Sequence, residues 1–118
     1  MMNLDNAVET HAQWKAKLRT AIVRHEQLDL ATLSRDDCCE LGQWLHGPGK
    51  RNYGQFPAHQ DCVQKHLAFH REVSKIAKAV NAQQFELAER LLSAGTEYTK
   101  ASSALSVSFL RLRKEAGI

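Results

Sequence analysis

Two histidines four residues apart, His66 and His70, are the residues of this sequence whose type and spacing most directly suggest chemistry. On a helix, residues at positions i and i+4 lie one above the other on the same face, so both imidazoles can reach one point. Such a pair can supply two ligands to one metal ion. The pair alone is equally compatible with two half-buried packing residues, so a metal site requires partners from elsewhere in the chain.

Four further histidines are candidates for that role. His11 and His25 share a face of the first predicted helix but lie about 21 Å apart at 1.5 Å per residue, so only one can belong to a site. His25 is at the helix end, where a cationic imidazole interacts favourably with the helix dipole. His11 is mid-helix on the predicted buried face, where an imidazole needs a hydrogen-bond partner or a metal. We expect His46 and His59, which border a loop rich in Gly and Pro, to be solvated.

A further ligand could come from one of the three cysteines. Cys62 lies one turn before His66 on the same face, and could join the site or pack in the core. Cys38 shares a helical face with two leucines, which favours burial as an apolar residue. Cys39 has Gly42 at position i+3, which opens space beside the thiol for a neighbouring helix and a metal ion. Spacing alone leaves the choice among the cysteines open.

Four amphipathic helices are predicted to carry these residues, because apolar side chains recur at alternating spacings of three and four. The first extends from residue 4 to about residue 27. The second begins near Arg35 and ends around His46. The third extends from about residue 58 to residue 81, and the fourth fills the rest of the chain. Gly95 is expected to bend or break the fourth helix.

The connections complete the predicted architecture. A short link covers residues 29–33, and a capping box formed by Ser34 and Asp37 is expected to start the second helix. Residues 47–49, Gly-Pro-Gly, cannot continue that helix, and one long loop is predicted from there to Pro57. Four helices with mostly short connections and no strand signal predict an all-α protein, an antiparallel four-helix bundle.

The composition predicts one cytoplasmic domain. The 118 residues are 43% hydrophobic, so residues 1–118 are expected to form a single core of modest size. The net charge of +3 is scattered rather than clustered, which argues against nucleic-acid binding. The sequence has no signal segment and no run of about eighteen apolar residues, so we expect neither export nor a membrane span. Three cysteines make a poor disulfide framework, and a thiol near several histidines more plausibly meets a metal.

Three segments, taken in order, resemble the signature segments of the chemoreceptor zinc-binding (CZB) domain family: HAQWKAKLR at 11–19, CELGQWL at 39–45 and HLAFH at 66–70. Residues 85–105 are also similar to the family's last helix, so the resemblance covers essentially the whole chain. In that family one histidine of the first segment, the cysteine of the second and both histidines of the third bind zinc. The resemblance therefore implies that Zn²⁺ is held here by four ligands: His11, Cys39, His66 and His70.

The resemblance also implies a function. Members of the family regulate chemoreceptors and diguanylate cyclases in response to zinc or to oxidants such as hypochlorous acid. We therefore expect a homodimeric, cytoplasmic sensory domain that is not an enzyme, in which Cys39 is the zinc- or oxidant-responsive switch. The chain ends at Ile118 without room for a fused output, so we expect either a stand-alone regulator acting on a signalling partner in trans or a domain of a longer receptor.

Other classes of protein fit the sequence less well. A hemerythrin-like bundle that binds iron and oxygen would need more inward histidines and bridging carboxylates. A purely structural zinc scaffold would use the same four ligands without a switch. A zinc hydrolase is disfavoured, because four protein ligands leave no position for a catalytic water and no H-E-x-x-H helix supplies a general base. Trp14 and Trp44 are expected to wall the site and exclude water, and Cys38 and Cys62 to pack in the core.

Overall fold

The computed structural model describes residues 9–37 and 39–118, and every regular element in those two ranges is a helix. The all-α prediction is therefore confirmed. A helical turn at residues 9–12 leads into the first helix. The helices are α1 (Trp14–Arg24), α2 (Leu30–Leu33), α3 (Glu40–His46), α4 (Pro48–Tyr53), α5 (Pro57–Asn81), α6 (Phe85–Leu92) and α7 (Glu97–Ala116).

The 25-residue helix α5 is the element around which the others pack. It lies along α7 and also contacts α1, α2, α3 and α6. Pro57 occupies its first turn, where the missing N–H costs nothing, and the next 24 residues contain neither Gly nor Pro. The predicted third helix is confirmed almost to the residue. Its buried side chains recur at spacings of three and four, and both histidines belong to this buried face: Cys62, His66, Phe69, His70, Val73, Ile76, Ala77 and Val80.

The start of the predicted second helix is wrong. The helix begins at Glu40 instead of near Arg35, although it ends at His46 as predicted. Cys39 is the N-cap, with extended backbone (φ −89°, ψ 162°), and its Sγ accepts a hydrogen bond from the Gly42 N–H at 3.3 Å. The cap therefore places the thiol at the very end of α3.

The predicted capping box does not form. The Asp37 carboxylate pairs with the Arg35 guanidinium at 2.9 Å, and Ser34 is the C-cap of α2. The short link at 29–33 contains α2 because Asp29 caps it, accepting hydrogen bonds from the Thr32 N–H at 3.3 Å and the Thr32 hydroxyl at 2.7 Å. Asp29 thus caps a helix that was not predicted, and Cys39 takes the capping role predicted for Ser34.

The predicted long loop after residue 46 is also wrong, because it contains α4. Pro48 ends α3 and occupies the first position of α4, where its fixed φ favours a helix start. Gly49 allows α4 to pack closely on the preceding helix, since a Cβ there would lie 2.9 Å from the Trp44 indole. The same proline that terminates one helix therefore nucleates the next.

The predicted fourth helix breaks where expected. α6 ends at Leu92 and α7 begins at Glu97, with Gly95 between them in the left-handed region at φ 81°. The hydroxyls of Thr96 and Thr99 donate to the Ser93 carbonyl at 2.7 and 2.9 Å, which holds the turn. The break is thus a structured turn between two helices.

The first helix ends three residues earlier than predicted, at Arg24. His25 is its C-cap in the left-handed region (φ 54°), and its exposed ring stacks on Phe85 with a centroid distance of 3.9 Å. The predicted start at residue 4 lies outside the described residues, as does Cys38. No helix in the described ranges is both long and apolar enough to span a bilayer.

Asn81, the last residue of α5, ties the chain between α1 and α2 to that helix. Its side-chain Oδ1 accepts a hydrogen bond from the Leu28 N–H at 2.8 Å, and its Nδ2 donates to the Leu28 carbonyl at 3.0 Å. This clamp leads directly into α2, which packs on α5. The Asn81 side chain therefore fixes the chain where it enters α2.

We expect Asn81→Ala to lower the free energy of unfolding by about 1–3 kcal/mol, because two half-buried backbone groups of Leu28 lose their partners. Urea denaturation measures the change. The exposed Asn52 of α4 provides a matched control, and Asn52→Ala should change stability by no more than about 0.5 kcal/mol. Equal losses in the two variants would contradict a clamping role for Asn81.

Candidate metal site

Four side chains that are distant in sequence meet at one point. His11 comes from the turn before α1, Cys39 from the N-cap of α3, and His66 and His70 from successive turns of α5. One donor atom of each lies within 4.8 Å of all the others. The structure therefore brings together the four residues that the family resemblance implies.

The distances from Cys39 Sγ to the three imidazoles, and between the two imidazoles of α5, are close to the edges of a tetrahedral metal site. Cys39 Sγ lies 3.2 Å from His66 Nε2, 3.6 Å from His70 Nε2 and 3.9 Å from His11 Nε2. The two Nε2 atoms of His66 and His70 are 3.1 Å apart. Tetrahedral zinc with ordinary bonds to nitrogen and sulfur requires edges of about 3.3–3.6 Å. The residues are therefore placed to coordinate a metal ion, and three nitrogens with one sulfur are consistent with Zn²⁺.

The three imidazoles are almost completely buried, with exposed fractions of 5% for His11, 0% for His66 and 2% for His70. Burial, reinforced by the neighbouring His70 and His11, lowers the pKa of His66 to about 2. Burial also raises the pKa of the Cys39 thiol, against the opposing hydrogen bond from the Gly42 N–H. Without a cation the low-dielectric site thus favours neutral ligands, and metal binding would require loss of the thiol proton.

The orientation of His70 is fixed by a backbone group. Its Nδ1 donates a hydrogen bond to the Leu33 carbonyl at 3.0 Å, so its Nε2 carries the lone pair and faces the other donor atoms. Leu33 ends α2, the helix that the Asn81 clamp positions. Sequence analysis missed this contact, since a backbone acceptor leaves no signal in residue type.

Gly42 has a different role from the one predicted. The space beside it is filled by the backbone of Asp36, whose carbonyl oxygen would overlap a Cβ at this position, and not by a neighbouring helix. The Asp36 carboxylate also contacts His46 Nε2 at 3.0 Å. Asp36 therefore lies against α3, and the missing side chain at Gly42 permits this close approach.

The prediction that His46 and His59 are solvated is correct for one residue and wrong for the other. His46 is exposed, as expected. His59 is only 4% exposed, so the prediction that it is solvated is wrong. Its Nε2 donates to the Leu45 carbonyl at 2.8 Å, because the last carbonyls of a helix lack partners inside the helix and recruit donors from outside.

Cys62, Trp14 and Trp44 have different environments, and of the three only Trp14 lines a cavity together with two of the converging residues. Cys62 is fully buried in the hydrophobic core, where burial raises the pKa of its thiol to about 12, and packing is its role. Trp14 lines a cavity of about 140 Å³ together with His11 and Cys39. Trp44 instead packs edge-on against Phe109, with a centroid distance of 6.2 Å. Trp14 therefore borders the site, whereas Trp44 anchors α3 to the core.

We expect Gly42→Ala to weaken zinc binding by more than about tenfold, because the new methyl group must push the Asp36 backbone and the Cys39 cap apart. Competition with a chromophoric chelator measures the affinity. Gly49→Ala is the control, since it crowds Trp44 at the other end of α3 and should destabilise the fold without changing zinc affinity to the same extent. Equal zinc affinities for the Gly42→Ala variant and the protein without substitutions would contradict this role for the close contact between Gly42 and the Asp36 backbone.

Comparison with known proteins identifies a family. Residues 11–77 match the family model of the chemoreceptor zinc-binding domain (CZB), which spans more than half of the chain and all four converging residues. Neither the curated proteins nor the solved structures provide a match.

Proposed function

Because the chain belongs to the chemoreceptor zinc-binding (CZB) domain family, we propose that it is a sensory and regulatory domain whose Zn²⁺ ligands are His11, Cys39, His66 and His70. The convergence of three imidazole nitrogens and one sulfur within 4.8 Å carries this proposal. CZB is not an enzyme family, and we infer that the chain has no catalytic activity. Four protein ligands would close the coordination sphere and leave no position for a reacting water.

We further propose that residues 1–118 form one antiparallel four-helix bundle. α1, the α3–α4 pair, α5 and the α6–α7 pair would be its four arms. The packing of α5 along α7 and its contacts with α1 and α3 support this arrangement. A cytoplasmic location follows from the proposed chemistry, because a reducing compartment keeps the Cys39 thiol available as a ligand.

Cys39 is the proposed switch within the site. It is half-buried, it caps a helix of only seven residues, and it borders the 140 Å³ cavity beside Trp14. His66 and His70, in contrast, belong to the buried face of the longest helix. An oxidant that enters through this cavity meets the sulfur before it meets the α5 imidazoles. The thiolate is therefore the ligand best suited to leave.

The proposed oxidation is a two-electron step at sulfur. The Cys39 thiolate attacks hypochlorous acid, and the net reaction converts RS⁻ and HOCl into RSOH and Cl⁻, so that sulfur is oxidised and chlorine is reduced. The sulfenic acid is a poorer ligand than the thiolate. Three histidines would then remain, and α3 would lose its connection to α5 through the site.

The proposed output is a change in packing that a signalling partner reads. Detachment of the α3 N-terminus would alter the surface where Asp36 lies against Gly42. We also propose a homodimer, which the exposed apolar side chains of Val107 (67% exposed) and Leu110 (55% exposed) on α7 support. The partner would be of the chemoreceptor or diguanylate cyclase class.

We expect purified protein to contain about one zinc per chain and no chromophore, because the described cluster contains a thiol and no carboxylate. Elemental analysis and visible absorption test this. His66→Ala should lower the zinc content, whereas His25→Ala, which removes an exposed imidazole, should not. Stoichiometric iron with visible absorption would favour the hemerythrin-like alternative and overturn the zinc assignment.

We expect Cys39→Ala to weaken zinc binding by about 100-fold or more and to abolish release by hypochlorite, because it removes both a ligand and the oxidisable sulfur. Zinc-indicator absorbance during titration with hypochlorite measures release. Cys62→Ala is the control and should release zinc like the unmodified protein, since that thiol is buried away from the donor atoms. If the protein without substitutions keeps its zinc after oxidation by hypochlorite, the site is a structural scaffold and the switch is refuted.

A further inference from the structure

A second polar site lies outside the four proposed ligands. A cleft of about 540 Å³ opens between the C-terminal end of α3, the helix α4 and the first turns of α5. None of the four converging residues lines it. Its polar lining consists of His46, Lys50, Gln55, His59, Gln60 and Gln64.

His59 gives this cleft its chemical character. The side chain is 4% exposed, and its Nε2–H donates to the Leu45 carbonyl at 2.8 Å. Its Nδ1 is buried without a hydrogen-bond partner in the described part of the chain, so a proton on this nitrogen would have no acceptor there, and the site suits a ring whose Nδ1 is itself an acceptor. A buried acceptor of this kind is stabilised by a ligand that offers it an O–H or N–H group.

The charges around the cleft favour an anion. Lys50 contributes an ammonium group, and no acidic side chain is among the described residues that line the cleft. His46 also faces it, with Nε2 paired to the Asp36 carboxylate at 3.0 Å. The N-terminus of α5 begins at the same place, and its N-cap residue Phe56 makes no side-chain cap. The positive end of a 25-residue helix dipole thus adds to the charge of Lys50.

We infer that this cleft binds a small anion that also carries a hydrogen-bond donor, of the hydrogen phosphate class. The negative oxygens would face Lys50 and the start of α5, and the P–OH group would donate to Nδ1 of His59. The unpartnered Nδ1, acting as an acceptor, distinguishes this anion from one of the same size that carries no O–H group. Sulfate has the same tetrahedral shape but no O–H group, so it would leave the acceptor unsatisfied.

The test is a titration of the zinc-loaded full chain with inorganic phosphate and, separately, with sulfate at matched ionic strength. Backbone ¹H–¹⁵N spectra should show saturable shifts at Gln55, His59 and Gln60 with phosphate, and at least about tenfold weaker binding of sulfate. The side-chain ¹⁵N resonance of His59 Nδ1 should move with phosphate and stay in place with sulfate. Linear, equal responses to the two salts would overturn the proposal.

Two variants that each remove one positive charge distinguish specific binding of phosphate in the cleft from nonspecific electrostatic attraction of phosphate to the protein. Lys50→Gln should weaken phosphate binding about threefold, because it removes the ammonium group of the cleft. Lys100→Gln removes the same charge from an exposed position on α7 and should leave the affinity unchanged. Equal losses in both variants would overturn the proposal. Neither residue is among the proposed zinc ligands, so unchanged zinc content in both keeps this result independent of the zinc proposal.

Discussion

The mutual approach of one sulfur and three imidazole nitrogens is the constraint on which this structure depends. Buried imidazoles need partners, and each of these rings places one nitrogen near a common point. Each supporting element holds one donor in place. The straight helix α5 holds two rings in register, α2 presents the carbonyl that orients His70, and the segment folded over Gly42 fixes the thiol.

The parts of this arrangement that repeat along a helix could be predicted from sequence. The i, i+4 spacing of His66 and His70 correctly predicts that they share the buried face of α5, and Gly95 correctly marks the break between α6 and α7. The choice of Cys39 depended on family resemblance, because helical spacing treats three cysteines alike. Helix geometry excludes His11 and His25 as simultaneous ligands, and the family resemblance implies that His11 is the one that binds.

The errors have a common physical origin in contacts made by backbone groups or by unusual caps. A cysteine sulfur is outside the usual N-cap preferences, so the start of α3 was placed too early. The buried side chain of His59 pairs with the backbone carbonyl of Leu45. Every residue has such a carbonyl, so the sequence gives no indication of this contact. Pro48 signals a helix end and a helix start equally well, and only the packing of Gly49 on Trp44 favours the second meaning.

The two ends of α3 are held in different ways. Its C-terminal end is fixed to the core by the hydrogen bond from His59 to the Leu45 carbonyl and by the packing of Trp44 on Phe109, and neither contact involves a proposed metal ligand. At its N-terminal end the thiol is the attachment. Seven residues span about 10 Å, so a rotation of roughly 15° about the C-terminal end would move Cys39 by about 3 Å. The displacement would then be greatest at Cys39 and at Asp36, which lies against Gly42, so a partner that responds to the switch would have to contact this end of α3.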